Sequence, residues 1–183
     1  MTIKTQNALR LQTASEEASL ELGGIIGTAL LQSMSLNRTG GVTILLSGDL
    51  GTGKTTLVRG IGDVLGITRV KSPSFTLINE YRAADFLVAH ADLYRLEAGM
   101  GEDLGLDEYY DTSCILLIEW PERCEKLIER DALKIFIESV SENERHFEIS
   151  SKGEAADSLL KNMREAVTNG KTDSGVGLQL ALD

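Results

Sequence analysis

Val42–Thr55 reads VTILLSGDLGTGKT, a mostly apolar run of strand length that passes directly into a glycine-rich turn. Gly48-Asp49-Leu50-Gly51-Thr52-Gly53-Lys54-Thr55 matches the P-loop pattern of Gly, four residues, Gly, Lys and Ser or Thr. The spacing has a physical purpose. A strand must turn sharply into a helix while its amide hydrogens converge on an anion. Glycines permit the dihedral angles this needs and let phosphates approach the backbone. The following helix adds its free N–H groups and its dipole. In this reading Lys54 reaches the terminal phosphates of ATP and the Thr55 hydroxyl ligates Mg. At average residue frequencies the pattern arises by chance in roughly one chain of this length in a hundred. The buried strand before it and the helix-length segment after it supply the required context.

Outward from this stretch, the pattern alternates strands and helices. Upstream, Ala8–Thr13 alternates weakly as a short strand. Thr13-Ala14-Ser15-Glu16 resembles a capping box. The helix after it carries Leu20, Ile25, Ala29 and Leu30 on one face, and Asn37–Gly41 ends it as a loop. Downstream, Lys54–Leu65 reads as a helix closed by Gly66. Lys71–Ser74 contains a proline and is a loop. Phe75–Tyr81 and Phe86–Ala91 read as strands, joined by a short turn into a hairpin. The acidic segment Glu102–Asp111 suggests a short helix. Cys114–Ile118 (CILLI) is a second buried strand. Leu133–Val140 and His146–Ser150 are further strands, and Ala155–Val167 has a helical face of Leu159, Leu160, Met163 and Val167. The expected fold is α/β: a single three-layer P-loop NTPase domain over residues 1–167 with a mixed, largely parallel sheet. From Thr168 to Asp183 the composition turns to Gly, Thr, Asn and Asp, as in a mobile C-terminal tail.

A P-loop enzyme needs a carboxylate at the end of a neighbouring strand. Glu119, directly after CILLI, fills that requirement, or is a solvated residue opening a loop. Asp92 closes the strand FLVAHA in the same way. Asp49 either sits near the γ-phosphate or caps the turn. Trp120 is either a core aromatic or a sensor of the site. His90 lies in a strand pattern and reads as packed or hydrogen-bonded rather than catalytic, and His146 as a surface strand residue. With two histidines in 183 residues and no Ser-His-Asp spacing, nucleophilic hydrolase chemistry has no support.

Bulk properties exclude other classes. The net charge is −10, and no cluster of Lys and Arg is present to grip nucleic acid unaided. Met1–Arg10 is polar and lacks the apolar core of a signal peptide. No apolar run reaches membrane-spanning length, so a cytoplasmic protein is expected. Cys114 and Cys124 are too few and wrongly spaced for a zinc site or a disulfide scaffold, and Cys114 is expected to be buried.

The ordered set GDLGTGKTT, VKSPSFTLINEY, HADLYRL and IEWPER, from Gly48 to Arg123, resembles the TsaE (formerly YjeE) family of bacterial ATP-binding proteins. The flanking pattern extends the likeness from about Ala8 to Val167. The resemblance implies a part in threonylcarbamoyladenosine modification of tRNA beside the anticodon. The expected partners are TsaB and TsaD, with tRNA contacted only through that complex. It implies weak ATP hydrolysis that depends on the partner pair. By position it implies that Leu50, Gly51, Thr52, Gly53, Lys54, Thr55 and Thr56 bind phosphates, with Asp49 in the same loop. Thr55, Asp92 and Glu119 then serve Mg and the attacking water. Ser72-Pro73-Ser74-Phe75 matches a switch-like loop, and Glu16 falls near the adenine-contacting segment. Ala91 stands where an aromatic is commoner and Ser74 where Thr is usual, departures that leave the chemistry intact.

Two other classes are consistent with a P-loop. A small-molecule kinase usually carries an Arg-rich lid, but Arg82, Arg95, Arg123 and Arg130 are scattered singly. A GTP-driven switch needs an Asn/Thr-Lys-x-Asp element on a strand end, and Lys171-Thr172-Asp173 lies in the tail.

Overall fold

The computed structural model describes residues 8–36, 41–73, 75–83, 86–96, 104–110, 114–124, 127, 131–169 and 178–180. In chain order the elements are β1 (Leu9–Thr13), α1 (Glu16–Leu36), β2 (Val42–Ser47), α2 (Lys54–Val64), β3 (Ile78–Arg82) and β4 (Leu87–Asp92). They continue with α3 (Asp107–Tyr110), β5 (Cys114–Glu119), β6 (Ala132–Ser139), β7 (Arg145–Lys152), α4 (Glu154–Asn169) and β8 (Leu178–Leu180). Most of the loop expected over Asn37–Gly41, and the first part of the acidic segment, lie outside the described residues.

The strands form one eight-stranded sheet in the order β3-β4-β5-β2-β6-β7-β1-β8. The four central strands β4, β5, β2 and β6 are parallel. Every pairing outside them is antiparallel, including the β3–β4 hairpin. The apolar content explains this arrangement. VTILLS and CILLIE are buried along nearly their whole length, as strands covered on both faces must be. β6 and β7 alternate more, with Phe136, Glu138 and Glu148 exposed opposite buried Ile135, Ile137 and Phe147.

One face of the sheet carries three helices. Leu22 and Ile26 of α1, Leu57 and Ile61 of α2, and Leu159 and Met163 of α4 join Ile44, Ile115, Leu117 and Ile135 in a single buried cluster. Each such side chain contributes about 1.5–3 kcal/mol by leaving water. α1 and α2 approach closely enough that a Cβ on Gly60 would fall 2.2 Å from the Leu20 carbonyl oxygen. The opposite face holds a smaller cluster, Leu45, Ala89, Leu116 and Ile118, covered by α3, a 3₁₀ turn at Pro121–Arg123 and connecting segments. The third layer of the expected sandwich is therefore thin.

Two expectations need correction. The capping box does not form, because Thr13 is the buried end of β1 and its hydroxyl meets the Ser19 hydroxyl at 2.9 Å. Ser15 caps α1 instead, its Oγ accepting from the Ala18 N–H at 3.2 Å. Within the segment expected as a mobile tail, α4 continues to Asn169 and Leu178–Leu180 pair with β1 as an edge strand. Leu178, an apolar residue in a polar stretch, is buried there. Residues 170–177 and 181–183 lie outside the described residues.

Candidate functional site

The parallel strands end together at one edge of the sheet, and the glycine-rich turn between β2 and α2 sits over that edge. Gly48, Gly51 and Gly53 have φ of 133°, 81° and 96°, values that disfavour a side chain. At Gly48 the constraint is also steric, since a Cβ would lie 2.2 Å from the Ile137 carbonyl oxygen on β6. The turn is braced from within. Thr52 donates its N–H and its hydroxyl to the Asp49 carbonyl, at 3.4 and 2.9 Å. It is also braced from outside by Arg145, the first residue of β7. Arg145 Nε donates to the Thr52 carbonyl at 3.1 Å, and Nη1 donates to the carbonyls of Ser141, Glu142 and Glu144.

Register places the acidic residues. Asp92 and Glu119 are paired at the ends of β4 and β5. Both share the helical face with Leu117, because successive residues of a strand point to opposite faces. Glu119 is 3% exposed, and its Oε1 and Oε2 accept from the Thr55 hydroxyl on α2 at 3.0 and 3.2 Å. His90 Nε2 lies 2.9 Å from the same Oε1. Asp92 Oδ1 accepts from the Tyr94 N–H at 3.1 Å, and Oδ2 from the Ser72 hydroxyl at 2.9 Å. The loop holding Ser72 is fastened to β3 as well: Tyr81 Oη and Asn79 Nδ2 both donate to the Lys71 carbonyl. Ser74 lies outside the described residues. Phe75 projects into solvent, 90% exposed, with the Arg95 guanidinium 4.8 Å from its ring centroid.

Lys54, at the N-terminus of α2, is buried. Its Nζ donates to the Gly48 and Asp49 carbonyls at 2.6 and 2.8 Å and stands 4.0 Å from the Trp120 ring centroid. Burial lowers its pKa, and the nearby carboxylates of Glu119, Glu122, Asp92 and Asp49 oppose that shift. Trp120 adopts a left-handed backbone, φ 60°, directly after Glu119, which turns its ring back over the turn. Tyr94 packs on it with centroids 4.9 Å apart. Trp120 is half-buried, packed against the smaller core cluster and over Lys54, and so forms an aromatic wall of the site.

A cavity of about 450 Å³ lies between these groups, lined by Gly51, Lys54, Thr55, Asp92, Glu119 and Trp120 among others, Leu50 included. A second cavity of about 260 Å³ adjoins it across Gly51, Gly53 and Thr56, and is walled by Glu16, Thr52, Asn143 and Arg145. Glu16 is thus beside the second cavity, with its carboxylate 3.9 Å from Arg59. Asp49 is exposed and lines neither cavity, and its carbonyl braces the turn. His146 is a half-buried residue of β7 away from both cavities.

The donor set suits a particular kind of guest. One cavity offers a cationic Lys and a glycine-lined helix N-terminus, which fit polyphosphate. The same cavity is lined by two carboxylates and one hydroxyl, those of Asp92, Glu119 and Thr55. Among the described residues no group of three or more His, Cys, Asp or Glu could hold a metal unaided. Oxygen donors this few fit Mg, which keeps several waters and takes further oxygens from phosphates. No helix among the described residues is long and apolar enough to cross a membrane.

Sequence reasoning missed Arg145 and the partner of His90. Arg145 meets Thr52 across 93 positions, and His90 meets Glu119 across 29, so no local pattern marks either contact.

The family model described as threonylcarbamoyl adenosine biosynthesis protein TsaE matches residues 13–147. A tRNA threonylcarbamoyladenosine biosynthesis protein TsaE from Bacillus subtilis is 39% identical over 124 residues, 67% of this chain and 78% of that protein. One from Haemophilus influenzae is 35% identical over 138 residues, covering 74% and 84%. One from a Nostoc species is 45% identical over 115 residues, covering 60% and 66%. The crystal structure of YdiB from Bacillus subtilis superposes with a TM-score of 0.70 at 28% identity, covering 86% of this chain and 95% of that one.

Proposed function

The chain belongs to the TsaE family of tRNA threonylcarbamoyladenosine biosynthesis proteins, and on that premise we propose that it is an Mg-dependent ATPase serving this modification in the cytoplasm. The observation that carries the reading is the meeting of Thr55 with Glu119 beneath the glycine turn, with Asp92 paired beside it. A phosphate-binding turn, a hydroxyl and two strand-end carboxylates are the parts that phosphoryl transfer from a nucleotide requires.

In this reading the amides of Gly51–Thr56 and the Lys54 ammonium hold the phosphates. Thr55, Asp92 and Glu119 would hold Mg, which would supply positive charge to offset that of the phosphates. Glu119 orients a water for in-line attack on the γ-phosphate, and Lys54 stabilises charge as it develops. To reach the phosphates, Lys54 gives up its bonds to the Gly48 and Asp49 carbonyls. The cavity at Glu16 and Arg145 takes the nucleoside end. The proposed partners are TsaB and TsaD, with tRNA reached through them. The acidic net charge of −10 agrees with an indirect contact.

The test is Mg-ATP hydrolysis by the chain alone and with the cognate TsaB–TsaD pair and tRNA. Strong stimulation by the pair is expected. Bound ATP without stimulation would leave the nucleotide site standing and overturn the accessory role.

A further inference from the structure

His90 is the one buried imidazole of the chain's two, fully enclosed on β4, and nothing in the site's proposed chemistry requires it. Strand alternation and register explain where it points. His90 is paired with Leu117 on β5 and shares the helical face with Asp92 and Glu119, two residues further along each strand. From there its Nε2 reaches Glu119 Oε1 at 2.9 Å, while its Nδ1 is buried with no hydrogen-bond partner.

These two facts together favour one placement of the imidazole hydrogen. At 2.9 Å from a carboxylate oxygen, an Nε2 that carries the hydrogen makes a hydrogen bond to it. A second hydrogen, on Nδ1, would be a buried donor without an acceptor, which is costly. The packing therefore favours a hydrogen on Nε2, which makes His90 a donor to the carboxylate from a rigid ring. Glu119 has two hydrogen-bond partners among the described residues, the Thr55 hydroxyl on α2 and His90 on β4. A buried carboxylate held on one side only is free to rotate away from a hydroxyl whose own torsion is free. A donor on a rigid imidazole in a central strand removes that freedom.

We propose that His90 is a positioning residue that fixes the Glu119 carboxylate in the orientation needed to receive Mg beside Thr55. It touches neither nucleotide nor metal, and acts through Glu119. The inference rests on the Mg-nucleotide reading of the site.

The test compares His90→Leu, which deletes the donor, with His90→Gln, whose amide nitrogen can occupy the Nε2 position. For each full-length variant the Mg concentration giving half-maximal strengthening of ATP binding is measured, alongside ATP affinity without Mg. His90→Leu should need about 10- to 100-fold more Mg at an unchanged Mg-free affinity, and His90→Gln should recover most of the loss. Parent-like Mg dependence in His90→Leu overturns the role of His90 while leaving the nucleotide reading intact. A parent chain that binds no Mg-ATP overturns both. A second measurement needs no change at His90: ¹⁵N spectra of the imidazoles in His146→Gln, where His90 is the remaining histidine. The Nε2–H tautomer is expected, with its proton signal displaced when Glu119→Ala is added. An Nδ1–H tautomer overturns the proposal.

Discussion

The hydroxyl of Thr55 stands 3.0 Å from Glu119 Oε1, although the two residues are 64 positions apart. This bond joins the first turn of α2 to the end of β5, and so joins the phosphate-binding turn to the acid edge of the sheet. Removing the two partners should have different consequences. Glu119→Ala should abolish ATP turnover and raise the Mg requirement, while leaving Mg-free ATP binding mostly in place. Thr55→Val should weaken Mg-dependent binding by about tenfold, an ordinary hydrogen-bonded or ligating hydroxyl being worth roughly 1–1.5 kcal/mol. Parallel turnover and titration measurements separate the two, and parent-rate hydrolysis by Glu119→Ala would remove that residue from the mechanism.

Trp120 is the chain's single tryptophan, and Lys54 Nζ lies 4.0 Å from its ring centroid. If Lys54 turns toward the phosphates, the environment of the indole changes. A saturable change in tryptophan emission is expected on adding Mg-ATP, and Lys54→Ala should lose it. Emission that stays constant while ATP binds by another measure would show that Lys54 keeps its place over the ring.

The α1–α2 crossing offers a stability contrast. Gly60→Ala places a Cβ 2.2 Å from the Leu20 carbonyl, backbone that cannot move without displacing α1. A loss of about 2–4 kcal/mol is expected. Gly24→Ala meets only the tip of Val64 at 3.7 Å in the same helix pair, and should be neutral or stabilising by up to roughly 1 kcal/mol. Urea unfolding checks both, and equal midpoints for the two variants would contradict the close crossing.

Burial raises the Cys114 thiol from 9.0 to about 11. The folded state then holds this proton more tightly than the unfolded chain. The associated stability is complete below pH 9 and is lost as the pH climbs through about 11. Its size is at most roughly 2 kcal/mol once solvent screening is allowed for. Cys114→Ala, although less stable at pH 7, should lose less stability than the parent between pH 8 and pH 11, by urea titration. An identical fall in both proteins would assign the alkaline transition to other groups.

Where the sequence was legible, the determining contacts are local. The strand VTILLS, the turn and α2 are contiguous, so motif and periodicity together place them. CILLI followed by Glu119 is equally plain, because a fully apolar run ending in an acid is a strand that terminates at the sheet edge. What escaped depends on register between distant segments. The Thr13–Glu16 spacing suggested a cap, but pairing with β7 and β8 claims Thr13 for β1 and leaves the cap to Ser15. His90 and Arg145 are ordinary strand residues until β5 and the glycine turn are brought beside them. The thin third layer has the same origin: the helices after β1, β2 and β7 all fall on one face, and periodicity alone does not say which face a helix will cover.

The most direct test of the account is a calorimetric titration of ATP into the purified chain, with and without Mg. One ATP bound per chain, strengthened by Mg, preferred over GTP and lost in Lys54→Ala, is the expected result. Absence of binding, a preference for GTP, or unchanged affinity in Lys54→Ala would contradict the proposed phosphate cradle and with it the function built on it.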